Sequence, residues 1–206
     1  MTNEQQITNS PNPVSFSQKV STQTVEVKDF DGDETLFESK LIDYDKQIEI
    51  VNGNLEIKEM GSAKSGGVAS RIGSEIWFFA KLNKLGRVYG ADTTFTVGEN
   101  ERMPDVAFVA QNRIPKTGEP DKKWDIAPDL AIEVISPNDI YFKVLEKLEN
   151  YFAAGVKQVW LVEPQFEKIK VYNSPGENVT FSKNDELVCE QVLPDFRLKL
   201  TDIFID

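Results

Sequence analysis

The sequence contains no histidine, and that absence removes more chemistry than any other feature of its composition. Ser-His-Asp and Cys-His catalysis, the HExxH zinc proteases and nucleases with a histidine general base all lack their central residue. Carboxylates, lysines and metal ions remain. Hard divalent cations prefer oxygen ligands, so a histidine-free site of carboxylates suits Mg²⁺ or Mn²⁺ rather than zinc. Cysteine is nearly absent too. Cys189 stands alone, which excludes an internal disulfide and a thiolate cluster and leads us to expect a reducing, cytoplasmic setting. No uncharged apolar stretch approaches the ~18 residues of a transmembrane helix, and the N-terminal residues lack the apolar run of an export signal, so no membrane partner is expected.

What is present fits one core. A chain of 206 residues with 40% hydrophobic content can fill a single domain and is short for two. Residues 1–28, rich in Asn, Gln, Ser, Thr and Pro, read as a flexible polar tail ahead of a domain over 29–206. The acids Asp29, Asp31, Asp33 and Glu34 imitate a calcium loop, but Lys40 stands where the terminal glutamate belongs, so a plain loop is expected.

The net charge of −11 opposes contact with a polyanion, yet the charge is unevenly spread. Residues 61–175 balance 15 acids with 15 bases. Between 62 and 90, Lys64, Arg71, Lys81, Lys84 and Arg87 face only Glu75. DNA contact is therefore permitted, although a solvated helix face explains the same spacing.

The periodicities give a mixed sheet with flanking helices, an α/β class. Asn52-Gly53 between Gln47–Val51 and Leu55–Ile57 predicts a tight β-hairpin. Val68, Ile72, Ile76 and Phe79 predict a first helix over Gly67–Leu85, stopped by Gly86. A helical projection puts Glu75 inside its apolar sector, between Leu82 and Val68, where a carboxylate needs a basic or metal partner. Strands follow at Arg87–Tyr89, Thr93–Val97, Val106–Ala110, Leu130–Ile135, Val159–Val162 and Lys168–Tyr172. A second helix runs from an Asp139 cap to Ala154, with Gly155 as its stop.

Chemistry concentrates at three residues. Asp105 opens the strand Val106–Ala110, a rigid place from which to present a ligand. Glu133 is the only charged residue in Leu130–Ile135, and burying it unpaired is strongly unfavourable, so something cationic should face it. If the two strands are neighbours, both carboxylates can share a metal. Lys147 falls at the margin of the second helix's apolar sector and leans toward the sheet, where it can orient or deprotonate an attacking water. A structural ion pair with Glu133 is the plain alternative.

Met103-Pro104-Asp105-Val106-Ala107-Phe108-Val109, Pro128-Asp129-Leu130-Ala131-Ile132-Glu133-Val134-Ile135-Ser136-Pro137, Lys147 through Tyr151 to Gly155-Val156, and Val159-Trp160-Leu161-Val162 together resemble the Uma-type restriction endonucleases, a branch of the PD-(D/E)XK nuclease superfamily. The hairpin at Asn52-Gly53 and Gly90-Ala91-Asp92-Thr93 extend the likeness from about Asp43 to the C-terminus. The resemblance implies a restriction endonuclease-like core and a DNA substrate. It also implies a metal held by Asp105 and Glu133 and cleavage to a 3′-hydroxyl and a 5′-phosphate; the histidine-free donors make that metal Mg²⁺ (or Mn²⁺), and we expect Glu75 to join it through water. The superfamily's lysine usually stands two residues after the glutamate. That position is Ile135 here, and Lys147 on the following helix would supply the charge. Lys143 replaces an expected acid four residues earlier, and no histidine precedes the first helix near Lys64-Ser65-Gly66. A competing expectation is a catalytically silent homodimer that keeps the fold as a binding module, with exposed Trp160 and Tyr172 at its interface.

Overall fold

The computed structural model describes residues 47–58, 61–137 and 139–205; the predicted N-terminal tail and the acidic loop lie outside them. The chain begins with the hairpin β1 (Gln47–Val51) and β2 (Asn54–Lys58), followed by α1 (Ala63–Asn83). Next come β3 (Gly86–Gly90), β4 (Phe95–Val97), β5 (Asn100–Arg102), β6 (Val106–Ala110) and β7 (Leu130–Val134). After α2 (Tyr141–Ala153) follow β8 (Gln158–Glu163), β9 (Lys168–Ser174), β10 (Glu177–Ser182), β11 (Glu186–Val188) and β12 (Arg197–Lys199). The hairpin forms as expected: Asn52 and Gly53 both have positive φ, 51° and 76°, which matches the twist of the paired strands.

Six strands make the central mixed sheet in the order β10-β9-β8-β7-β6-β3, with β7 and β8 parallel and their other neighbours antiparallel. The hairpin joins a second sheet, β2-β1-β5-β4. Alternation along β7 divides the core. Leu130, Ile132 and Val134 pack with Val68, Ile72, Ile76 and Ala80 of α1, while Ala131 packs with Val144, Leu148 and Tyr151 of α2. Each fully buried Ile or Leu of this kind contributes about 1.5–3 kcal/mol, so β7 is held from both faces and fixes whatever its polar positions carry.

Helix boundaries differ from expectation in instructive ways. The Ser62 side chain caps α1 by accepting from the Ser65 N–H at 3.1 Å, and Lys84, with φ 55°, ends it in the left-handed region. Gly86 has another duty: a Cβ there would sit 2.1 Å from the Val109 carbonyl oxygen across the β3–β6 pair. Asp139 does not cap α2. Its carboxylate accepts from the Ser136 N–H at 2.6 Å and closes the turn after β7. Gly155, φ 85°, follows α2 as predicted.

Two further expectations are corrected. Trp160 and Tyr172 are buried within the central strands β8 and β9, with the Trp160 indole N–H donating to Gln158, so neither is available for an interface. Glu75 is exposed, as are Trp77, Phe78 and Leu82, because the sheet covers only the stripe Val68, Ile72, Ile76 and Ala80. The projection drew too wide a sector. Among the described residues no helix is long and apolar enough to cross a membrane.

Candidate active site

An open groove of about 1070 Å³ runs between α1, the hairpin and the start of α2, and Asp105, Glu133 and Lys147 all line it. Glu75 is not among its lining residues. Three features of the backbone bring the first two together. The strands β6 and β7 pair Val106 with Ile132, Asp105 immediately precedes the first of these residues and Glu133 follows the second. One Asp105 carboxylate oxygen accepts from the Val134 N–H at 2.7 Å, which ties it to the strand that carries Glu133. The strand alternation then turns Glu133 toward α2, where the Tyr151 hydroxyl donates to it at 2.7 Å.

The lysine arrives from α2, at 3.7 Å from one Glu133 oxygen. Its shorter contact, 3.1 Å, is to Glu49 on β1. Glu49 is a residue that sequence reasoning missed. It is 2% exposed and also accepts from the Arg102 guanidinium at 3.1 Å and the Met103 N–H at 3.0 Å. Arg102 in turn donates to Asn150 on α2. A second missed residue is Lys58 at the end of β2, which donates to Asp105 at 2.8 Å and to the Met103 carbonyl at 2.6 Å. The hairpin therefore clamps the segment Met103-Pro104-Asp105 from two sides. The available signal for Glu49 was its shared strand face with apolar Val51, two residues away; both are buried.

Charges in this cluster are matched, with Glu49, Asp105 and Glu133 against Lys58, Arg102 and Lys147. The match is uneven in strength. Burial pushes the Glu133 carboxyl up; Lys147 and Lys58 pull it back, while Asp105 and Glu49 push it further up. For Glu49 burial alone would do the same, but Lys147, the Met103 N–H and Arg102 outweigh it and hold that carboxyl below its ordinary value. Burial would lower Lys147, yet Glu133 and Glu49 prevail and raise it, so its ammonium stays protonated at neutral pH. Burial, reinforced by Glu133, holds the Tyr151 phenol well above its ordinary range.

A hard divalent cation fits this donor set. Asp105 and Glu133 offer oxygen alone, they line a groove open to water, and burial keeps the Glu133 carboxyl raised despite Lys147 and Lys58, so its charged form is under-compensated. Among the described residues no three His, Cys, Asp or Glu side chains are grouped closely enough to hold a metal ion together.

Comparison with known proteins agrees with this architecture. The crystal structure of a putative nuclease belonging to DUF820 from Anabaena variabilis superimposes with a TM-score of 0.69 at 25% identity, over 76% of this chain and 89% of that one. No curated protein matches the sequence. The profile of the Uma2 family, described as "Putative restriction endonuclease", matches residues 34–201, which takes in all twelve strands and both α-helices among the described residues, and every residue of the groove. By that match across most of its length, the chain belongs to the Uma2 family.

Proposed function

We propose that the protein is a metal-dependent DNA endonuclease in which Asp105 and Glu133 hold Mg²⁺ or Mn²⁺ and Lys147 acts on the reacting phosphate. The observation that carries this reading is the convergence of those three side chains, from two paired strands and the next helix, on one solvent-open groove. When bound, the cation would polarise a phosphate oxygen and lower the pKa of a coordinated water. The chain's own residues do the positioning. The Val134 N–H and the Tyr151 hydroxyl orient the two carboxylates, and each leaves a lone pair directed elsewhere.

With charged Glu133 and Glu49 beside it, Lys147 is a donor rather than a base. A protonated ammonium can hold the attacking water or a phosphate oxygen and offset the charge that builds on phosphorus, but it cannot accept the water's proton. Glu133 and Glu49 together keep it charged, and Glu49 anchors it at 3.1 Å. Water forms a bond to phosphorus and releases its proton to solvent as the bond to the 3′ oxygen breaks; the departing oxygen takes a proton from solvent, which leaves a 3′-hydroxyl on one product and a 5′-phosphate on the other. Glu75, exposed and outside the groove, has no part in this scheme.

A silent binding module is favoured by one observation: Lys58 and Lys147 already pair with Asp105 and Glu133. Plasmid cleavage with and without Mg²⁺ separates the two readings. Cation-dependent nicking or linearisation by the native protein, lost in Glu133→Gln and Lys147→Ala, is expected. Equal behaviour of all three proteins would remove the nuclease reading.

A further inference from the structure

The groove does not end at its carboxylates. Along α1 its wall passes the small residues Gly66, Ala69 and Gly73 to Trp77, and Trp77 together with Val88 also lines a second depression of about 410 Å³. Lys81, Lys84 and Arg87 border that second depression. The two hollows thus adjoin at Trp77.

Charge changes character along this path. In the groove each lysine or arginine is held by an acid: Lys58 by Asp105, Arg102 and Lys147 by Glu49, and Lys143 by Glu56. Beyond Trp77, Arg87 is paired with Glu119, but exposed Lys81 and Lys84 have no acidic partner among the described residues. The Lys81 ammonium lies 4.5 Å from the centre of the Trp77 ring. That ring is 49% exposed, whereas Trp124 and Trp160 are buried. An exposed aromatic flanked by cations that lack an acidic partner among the described residues, on the rim of a site read as acting on phosphodiesters, matches a nucleic-acid strand: bases stack on aromatic faces and ammonium groups neutralise phosphates.

We infer that Trp77, Lys81 and Lys84 form a subsite for single-stranded DNA, in which Trp77 stacks an unpaired base and the two lysines hold its flanking phosphates, beside the phosphodiester at Asp105 and Glu133. The inference rests on the nuclease reading for its ligand class. A duplex buries the base faces that Trp77 requires, so the occupant is an unpaired strand. The basic stretch between residues 62 and 90 thereby has a specific use at its C-terminal end.

The test is binding in EDTA, which needs neither cation nor cleavage. A labelled 12-nucleotide oligothymidylate is titrated by anisotropy, with tryptophan emission followed in parallel and a duplex of equal length as the second probe. Quenching of emission is expected in the native protein and absent in Trp77→Phe, because the other two tryptophans are buried. Trp77→Ala should weaken binding by about tenfold. The double variant Lys81→Gln, Lys84→Gln should reduce the slope of log affinity against log salt by about 1.4, while Lys199→Gln, exposed on β12, should leave affinity near native. Thermal melts near native for the variants, whose side chains are exposed, keep the comparison valid. Unquenched emission, native affinity in Trp77→Ala, or the same Trp77 dependence with the duplex overturns the subsite. Trp77-dependent binding by a protein without cation-dependent cleavage upholds the subsite while ending the nuclease reading. Cation-dependent cleavage with native binding in the Trp77 and lysine variants does the reverse.

Discussion

The strand β7 has an acid near each of its ends, and the two are treated in opposite ways. Asp129, just before β7, is fully buried and accepts from the Ala110 N–H at 2.8 Å, with Lys157 at 2.9 Å and Arg113 at 3.1 Å. Burial would raise its carboxyl, but that N–H and the two cations outweigh burial and hold it below the ordinary range. Glu133, near the other end, is raised by burial and crowded by Asp105 and Glu49, and it opens onto the groove. One acid is an ionic lock between strands. The other stays raised by burial despite two nearby cations, and on the proposed reading a divalent cation meets that deficit.

Substitution at the two acids should separate these roles. Glu133→Gln is expected to lower the rate of plasmid cleavage by at least about a hundredfold with little loss of fold, checked by single-turnover assays beside circular dichroism. Native rates in this variant would place Glu133 with Asp129 as a structural acid. Asp129→Asn should do the converse. It is expected to cost roughly 2–3 kcal/mol in urea denaturation, because it discharges a buried acceptor that serves an N–H and two cations, while cation affinity stays near native.

The sign of the pH dependence differs as well. The folded Asp129 carboxyl lies below its unfolded value of about 4, so its contribution to stability is complete above that pH. It is lost as pH falls through the lower folded value. Thermal melts from pH 6 down to pH 2.5 should therefore show a steeper acid decline for the native protein than for Asp129→Asn; parallel curves would mean that Asp129 gains nothing from ionising. The smallest effect is expected at Glu75. Glu75→Gln, an exposed change outside the groove, should alter cleavage less than about twofold and stability within about 0.5 kcal/mol.

What could be read from the chain follows how local each signal was. The strand β6 matches its expected bounds, Val106 to Ala110, because Pro104 and an unbroken apolar run mark it without reference to anything distant. Glu133 stood out as a lone charge in a buried run, and the hairpin was announced by Asn52-Gly53. Glu49 gave far less away: its partners Arg102 and Lys147 lie 53 and 98 residues along the chain, and Gln47-Ile48-Glu49-Ile50 resembles any half-solvated strand. Lys58 was hidden for the same reason, since Asp105 reaches it only through the fold. For Glu75 the error ran the other way. Helical periodicity gives the direction of a buried stripe but not its width, and the sheet alone sets that width.

The C-terminal third shows the same limit. Leu187, Leu193, Phe196, Leu198, Leu200, Ile203 and Phe204 pack into the core on the α1 side, although their spacing follows neither a helical nor a strict two-residue repeat. Arg71 of α1 secures this segment by donating to the Ile203 carbonyl at 2.7 Å. A basic residue noted for charge alone thus has a structural bond. Lys81 and Lys84 of the same stretch have no acidic partner among the described residues.

The central claim is that Asp105 and Glu133 share one divalent cation. Calorimetric titration of Mn²⁺ into the native protein, Asp105→Asn and Glu75→Gln addresses it without relying on turnover. The account predicts binding in the native protein and in Glu75→Gln, weakened by at least about tenfold in Asp105→Asn. Native affinity in Asp105→Asn, or no binding by the native protein at all, would contradict it.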